Sequence, residues 1–430
     1  MPSGMIISLK FENFRSYRDK AEFSFEALDS EYNSGSFTEV TLNDGSKLRI
    51  LHSAVIFGAN ASGKSNVIIA LDALVSTVAY SRDYTQDVTP DFIQPYAFDR
   101  KYLKRNTKIE LCFVFEGKRY CYLVAGHSGK INRETLKVSY HGRNLVVFDR
   151  KEDISISTGK GWEAKDSIIK DSSLLSNQLF LSLLATRDAA GLQKVANYVG
   201  SLSVFNRTMH SGSMADRQEV MGSIIKDTKS TIFKKLENLL KIADLGVDRI
   251  RARRNDDKDF KLPAGIDESY RSAIIARNRW TISLGHRTSK PNEICVLNFA
   301  MESEGTKALF GVGARLLSAL EAGSFVAYDE ISDAIHPALL RLIVSLFHSK
   351  KSNPYGAQLL FSTHDASVAD YNTLRSDQVW FVEKNESVSD LFSAQDFSDV
   401  DIQVPFEQWY RSGRFGALPA LGDIEDIFKI

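Results

Sequence analysis

Apolar side chains change their period several times along the chain. Residues 50–57, "ILHSAVIF", are apolar or β-branched almost without interruption, which is typical of a short buried strand. Residues 64–80 carry apolar side chains at helical spacing, so a helix is predicted to follow that strand. The runs "SFVAYDE" at 324–330 and "QLLFSTHDA" at 358–366 predict two more buried strands. The pattern predicts an α/β core.

The middle of the chain has different patterns. Residues 101–160 form short alternating runs joined by turns that contain glycine, which predicts an antiparallel hairpin layer. Residues 172–246 are mostly helical in period and predict an inserted arm. We therefore divide the chain into an N-terminal lobe (1–160), a helical insertion with a basic segment (161–290) and a C-terminal lobe (291–430).

Composition and charge exclude few classes of protein. Lys plus Arg equals Asp plus Glu at 54 each, so the overall charge points to no nucleic-acid or membrane partner. The three cysteines, Cys112, Cys121 and Cys295, are too few and too far apart for a disulfide framework or a metal motif, and we expect buried thiols in a reducing compartment. No leader or membrane-spanning run is visible, so a cytoplasmic location is expected.

The segment that joins the first strand to its helix matches G-x-x-x-x-G-K-[ST] in full. Glycines let the loop curl so that its N–H groups face phosphate oxygens, and the start of the helix adds partial positive charge. Lys64 is predicted to reach the β- and γ-phosphates, and Ser65 to ligate Mg²⁺. The predicted phosphate-binding residues are Gly58, Ala59, Asn60, Ala61, Ser62, Gly63, Lys64, Ser65 and Asn66. The motif indicates a site for a nucleoside triphosphate and Mg²⁺.

Two acidic residues end the strand at 324–330. Asp329 is predicted to hold Mg²⁺ directly or through water, and Glu330 to polarise the attacking water. His364, at the tip of the next strand, is predicted to sense the γ-phosphate. Gln94 is a further candidate for a residue that senses Mg²⁺.

About twenty residues before Asp329, a turn of small residues opens a helix, "SEGTKALFGVGARLL". The N–H groups at the start of a helix lack partners, so this turn is a second anion site. Its candidate residues are Ser303, Gly305 and Thr306. Glu302 and Glu304 flank the serine, and carboxylates facing a γ-phosphate would repel it unless they point away or bind cations.

These motifs in this order resemble the ATP-binding-cassette ATPases of the SMC and RecF type. The opening "LKFENFRSY" strengthens the resemblance, since its Asn13, Phe14 and Arg15 match a segment that lies near the nucleotide in that group. The stretches "DEISDAIHP" and "YRSGRFGALPAL" resemble RloA-like and OLD-like ATPases of phage-defence and abortive-infection systems. The resemblance covers about residues 5–98 and 290–421.

The resemblance implies an ABC-type ATPase head with a mixed sheet core, an antiparallel β layer and an inserted helical arm. It also implies a head-to-tail homodimer, or a higher homo-oligomer, that sandwiches two nucleotides. Ser303, Gly305 and Thr306 would then act on the nucleotide held by the partner's P-loop, and Asp333 would carry signals across the dimer. OLD nucleases carry a further metal-binding domain that this sequence does not show, so the effector is expected to be a separate polypeptide.

Two readings of function follow. The first is an ATP-hydrolysing regulatory or sensor subunit of a prokaryotic antiviral system that controls the separate effector, which is a nuclease in one version of this reading. The second is a RecF-like DNA-binding ATPase clamp for repair or maintenance, supported by nucleic-acid contacts through the basic segment at 249–290. The same arginines also fit a solvated loop.

Overall fold

The computed structural model is described for most of the chain. The described residues are 4–30, 32–160, 162, 173–187, 189, 191–206, 230–243, 246–256, 258, 260, 262–263, 265–290, 293–333, 335–369, 373–397 and 406–417. They divide into two compact units, one made of residues 1–206, 323–331 and 343–430, and the other of residues 207–322 and 332–342. The sites described below are therefore assigned to one unit or the other.

The first unit contains a seven-stranded antiparallel sheet in the order β10-β9-β8-β7-β6-β1-β2. Its strands are β1 (Gly4–Glu12), β2 (Ala21–Ser24), β6 (Thr107–Phe115), β7 (Lys118–His127), β8 (Lys130–Tyr140), β9 (Arg143–Lys151) and β10 (Ile156–Thr158). Hairpins with short turns join the strands from β6 to β10, because alternating apolar runs there are interrupted by turn residues. The predicted antiparallel layer is confirmed.

The same unit contains a six-stranded sheet in the order β11-β15-β16-β5-β17-β18, parallel except for its last strand. Its strands are β5 (Ser53–Gly58), β11 (Ser203–Phe205), β15 (Phe325–Tyr328), β16 (Gln358–Ser362), β17 (Val379–Asn385) and β18 (Val388–Ser393). The inner strands are buried on both faces, which explains their continuous apolar runs. The predicted α/β core is confirmed.

The apolar run at 50–57 is divided between two sheets. A hairpin of β3 (Phe37–Thr41) and β4 (Lys47–Leu51) ends just before His52, and β5 begins just after it. The His52 amide donates to Ser36, while its carbonyl accepts from Leu359, so the two sides of this residue serve different sheets. One predicted strand is thus two, because apolar content alone does not mark the turn.

Helices cover both units. They are α1 (Lys64–Tyr80), α2 (Phe180–Leu184), α3 (Leu192–Gly200), α4 (Thr231–Ile242), α5 (Glu268–Arg277), α6 (Glu304–Ala322), α7 (Pro337–His348) and α8 (Phe406–Arg411). The helix predicted at 64–80 is confirmed at both ends. In the predicted arm, α2, α3 and α4 are described, and residues 207–229 lie outside the described part. Among the described helices, none combines the length and apolar character that a membrane crossing requires.

The second unit contains a three-stranded antiparallel sheet of β12 (Val247–Arg254), β13 (Trp280–Arg287) and β14 (Ile294–Asn298). The arginine cluster at 249–254 therefore lies on a strand. The interpretation of this segment as a solvated loop is wrong. Residues with alternating charge and small apolar side chains, "RIRAR", have the period of a half-buried strand.

One expectation about the cysteines is wrong. Cys112 on β6 lies directly opposite Cys121 on β7, and the two form a disulfide. A separation of nine residues looks arbitrary in the sequence, but the hairpin brings the two side chains together across the strands. Cys295 is unpaired, as expected, but exposed.

Candidate nucleotide site

The loop between β5 and α1 is shaped by two glycines. Gly58 has φ 155°, and a Cβ there would lie 2.4 Å from the Val382 carbonyl oxygen. Gly63 has φ 113°, and its Cβ would lie 2.5 Å from the Ser389 hydroxyl. A larger residue at either position would have to displace β17 or β18, so the sheet itself requires glycine here.

Lys64 begins α1 and is nearly buried. Its ammonium donates to the carbonyls of Gly58, at 2.8 Å, and of Ala59, at 2.9 Å. Burial lowers the pKa of Lys64, and the nearby carboxylates of Glu330 and Asp329 oppose that shift. The positive charge of Lys64 is therefore hydrogen-bonded to the loop and lies near two acidic residues.

Those acidic residues follow β15, two strands away from β5. The Ser362 hydroxyl, at the end of the intervening strand β16, donates to Asp329 Oδ1 at 2.6 Å and accepts from the Glu330 amide at 2.8 Å. Burial raises the pKa of Asp329, and the nearby hydroxyls of Ser362 and Ser65 oppose that shift. Because β15, β16 and β5 are parallel, their carboxyl ends bring the groups to one edge.

Glu330 has a backbone conformation that is costly for a residue with a side chain. Its φ is 53°, in the left-handed region. The hydrogen bond from the Glu330 backbone amide to the Ser362 hydroxyl stabilises this conformation. Asp329, directly before Glu330, does not have a positive φ, so the two acidic residues differ in backbone conformation. Two adjacent acidic residues can thus serve two different roles.

The residues at this edge fit a magnesium nucleotide. The Ser62 hydroxyl is buried and has no hydrogen-bond partner among the described residues, and a Cβ on Gly58 would lie 2.8 Å from it. Ser65 and Asp329 supply the hard oxygen ligands that Mg²⁺ prefers. Lys64 would bind the phosphates, and a bound Mg²⁺ would polarise them toward attack by water.

His364 is exposed and lines a cavity of about 630 Å³ together with the loop from Gly58 to Ser62. The opposite side of this cavity is formed by the end of β17 and by Tyr410 on α8. His364, the residue predicted to sense the γ-phosphate, and the phosphate loop therefore line one cavity in the first unit.

The N-terminal residues divide into two groups. Asn13 is buried, donates to the carbonyls of Tyr102 and Arg105, and accepts from the Tyr96 amide. Phe14 is fully buried in the core. These two side chains hold the turn from inside rather than face a cavity.

Arg15 alone of this group reaches the loop, where it donates to the Asn66 side chain at 3.0 Å. Arg15, Asn66 and Gln94 line a cavity of about 460 Å³. The Gln94 side-chain amide donates to the Asp91 backbone carbonyl, and the Gln94 backbone carbonyl accepts from the Arg15 backbone amide. Gln94 therefore shares a cavity with Asn66 at the start of α1, and not the cavity that the loop from Gly58 to Ser62 lines.

The small-residue turn lies in the second unit. Ser303 precedes α6, and its hydroxyl accepts from the Thr306 amide at 3.1 Å and contacts the Thr306 hydroxyl at 2.8 Å. Thr306 is buried, whereas Ser303 is exposed and Gly305 is partly exposed. Asp333 ends a 3-10 turn over Ile331–Asp333, and its side chain lies outside the described part of the structure.

The carboxylates that flank Ser303 are both engaged. Glu302 is buried and contacts His286 Nε2 on β13 at 2.8 Å, and Glu304 pairs with Lys307 at 2.9 Å. The sequence left open whether these acids would repel a phosphate. Cationic or hydrogen-bonding partners hold each of them, so the repulsion is reduced.

Sequence reasoning missed three serines that build the site. Ser362 bridges the two acidic residues, and Ser16 and Ser389 support the loop through bonds to Asn66 and to the Ser62 carbonyl. Serines are common, so only a position at the end of a buried strand, as for Ser362, would have given a signal.

The sheet order, the phosphate loop and the acidic pair define a P-loop nucleotide-binding protein of the ATPase class. The chain belongs to the family described as "AAA domain, putative AbiEii toxin, Type IV TA system", whose model matches residues 53–370. No curated protein sequence matches the chain.

Solved structures of SMC heads are similar to the chain. An SMC head bound to the C-winged helix domain of ScpA has a TM-score of 0.45 and 15% identity, and the match covers 90% of this chain and 97% of that one. The SMC head domain from Thermotoga maritima has a TM-score of 0.41 and 14% identity, with 90% and 98% coverage.

Proposed function

We propose that the protein hydrolyses ATP with Mg²⁺. The observation that carries this proposal is the assembly of Lys64, Ser65, Asp329 and Glu330 at one edge of parallel strands, where Ser362 bridges the two acidic residues. In this scheme Lys64 binds the β- and γ-phosphates, and Ser65 and Asp329 hold the metal. Glu330 accepts a proton from the attacking water, and His364 contacts the γ-phosphate.

We further propose that two chains act together. Ser303, Gly305 and Thr306 lie at the start of α6 in the second unit, and Ser303 is exposed, whereas the phosphate loop belongs to the first unit. In a head-to-tail pair, each turn would complete the nucleotide site of the other chain. The engaged carboxylates of Glu302 and Glu304 support this role, because each has a cationic or hydrogen-bonding partner and would repel a phosphate less.

The biological role that we propose is regulation of an antiviral system. The family description names an abortive-infection toxin and a toxin–antitoxin system, and the sequence resembles RloA-like and OLD-like ATPases. Nucleotide-driven closure of the pair would then control a separately encoded effector. Phage challenge tests this role: cells with the complete gene neighbourhood should lose protection when Lys64→Ala is introduced.

Light scattering of the Glu330→Gln protein tests hydrolysis and pairing together. With ATP and Mg²⁺ the mass should double, because nucleotide binds but is not consumed, and phosphate release should fall by about 100-fold or more. Lys64→Ala is the matched control and should stay at its starting mass. Hydrolysis by Glu330→Gln at the wild-type rate would show that another group is the base.

A further inference from the structure

The three-stranded sheet of the second unit has two unlike faces. One face carries Ile250, Ile282 and Leu284, which are buried, and the Ile250 amide donates to Glu237 on α4. The other face carries the residues that alternate with these. Because directly paired residues of antiparallel strands share a face, the register identifies its members. They are Arg249, Arg251, Arg253, Thr281, Ser283, Gly285, Arg287, Ile294, Val296 and Asn298.

We call this second face the arginine face. Arg249, Arg251 and Arg253 are exposed and occupy alternate positions on β12. Alternate residues of a strand are about 6.7 Å apart, so the three guanidinium groups start from a regular row. Gly285 leaves room for the row, since a Cβ there would lie 2.9 Å from the Arg249 side chain. The arginine stem thus lies flat across the neighbouring strand.

The charge of this sheet is strongly one-sided. Its three strands contain five arginines and a single carboxylate, Asp248, although the whole chain has equal numbers of acidic and basic residues. Asp248 pairs with Arg287 at 2.9 Å and lies 3.6 Å from Arg249, at one end of the face. The rest of the row keeps its positive charge, and arginine binds phosphate oxygens in a bidentate way.

We propose that the arginine face binds the phosphate backbone of a nucleic acid. A row of guanidinium groups on a rigid strand matches a row of phosphates by charge and by regular spacing, and it releases counterions when it binds. Hydroxyl and amide side chains next to the row, on Ser283 and Asn298, are further groups that commonly contact phosphate. The face offers charge and few base-reading groups, so binding is independent of sequence.

This surface is distinct from the nucleotide site, and its binding does not depend on hydrolysis. The test is therefore made without ATP, so that failure of the ATPase scheme and failure of this proposal give different results. Fluorescence polarisation is measured with labelled 20-base-pair duplex DNA, and with single-stranded DNA and RNA of the same sequence. Each probe is titrated at about 50 and 200 mM salt.

The wild-type protein should bind at least one probe, with an affinity that falls steeply with salt. Replacing Arg249, Arg251 and Arg253 by serine should weaken binding at least tenfold and lower the salt slope by about 3, since each lost phosphate contact removes about 0.9. The control removes three exposed arginines of the other unit, Arg100, Arg143 and Arg411, and should bind like the wild type. The probe that binds most tightly identifies the class of nucleic acid.

If the triple variant does not fold, the single variant Arg251→Glu is used in the same binding test, because Arg251 is exposed. It should keep the wild-type melting temperature and weaken binding at least fivefold. Three results would overturn the proposal: no binding of any probe at low salt, equal binding by the wild type and the arginine-face variants, or equal losses in the control. Binding of poly-glutamate but not of nucleic acid would assign the face to an acidic protein instead.

Discussion

At the scale of single residues, Ser362 determines how the acidic pair is used. Its one hydroxyl donates to Asp329 and accepts from the Glu330 amide, so it fixes both the carboxylate that we propose holds Mg²⁺ and the left-handed turn that follows. A hydroxyl is the smallest group that can do both at once. The serine therefore acts through its neighbours rather than on the nucleotide.

Ser362→Ala should lower the rate of ATP hydrolysis by about 10- to 100-fold while nucleotide still binds through Lys64, which is the usual cost of losing a group that orients a metal ligand. Steady-state phosphate release and binding of a fluorescent ATP analogue measure the two effects. Ser393→Ala is the matched control, because Ser393 is buried in the same sheet but pairs with Trp380 near the amino end of β17. Equal activity of the two variants would contradict the role given to Ser362.

At the scale of elements, the phosphate loop and α1 could be predicted from the sequence because their signal is local. Glycine spacing, Lys64 and the helical period all lie within residues 58–80, and the structure confirms the helix at both ends. Other features depend on partners far away in the sequence. The Cys112–Cys121 pair, the break at His52 and the bridging serine follow from strand register, which composition does not contain.

Gly63→Ala should weaken ATP binding at least tenfold, because its Cβ would collide with Ser389 and Ser16 and shift the start of α1. Calorimetric titration with ATP and Mg²⁺ checks this. Gly45→Ala separates collision from backbone strain, since Gly45 also has a positive φ, 84°, but open space around it. Both variants should lose about 1 to 3 kcal/mol of stability, and only Gly63→Ala should lose affinity. Wild-type affinity for ATP in Gly63→Ala would argue against the packed loop.

At the scale of the whole molecule, two buried histidines join elements of the first unit. His52 contacts the Thr38 hydroxyl at 2.6 Å. His348, at the end of α7, accepts from the Gln378 side-chain amide at 3.0 Å. Burial is the main reason that the pKa of His52 falls to about 4 and that of His348 to about 3. A proton on either ring would therefore be bound mainly after unfolding.

Stability should consequently fall as the pH is lowered. The unfolded chain binds these protons near pH 6.5, whereas the folded protein resists them down to about pH 4 for His52, so the loss develops between these values. Urea unfolding at pH 7.5, 6.0 and 5.0 measures it. His348→Gln should flatten the dependence, and His141→Gln, at an exposed site, should leave it unchanged. An equally steep dependence in His348→Gln would show that other groups cause it.

The order of strands in the six-stranded sheet also has a consequence for how the protein is made. The strand that leads into the phosphate loop, β5, lies between β16 and β17, so both of its neighbours come from residues 358–385. Synthesis runs from the N-terminus, and β5 remains without its partners until most of the chain has left the ribosome. An incomplete chain therefore carries the phosphate loop without the two strands that flank β5 in the folded protein.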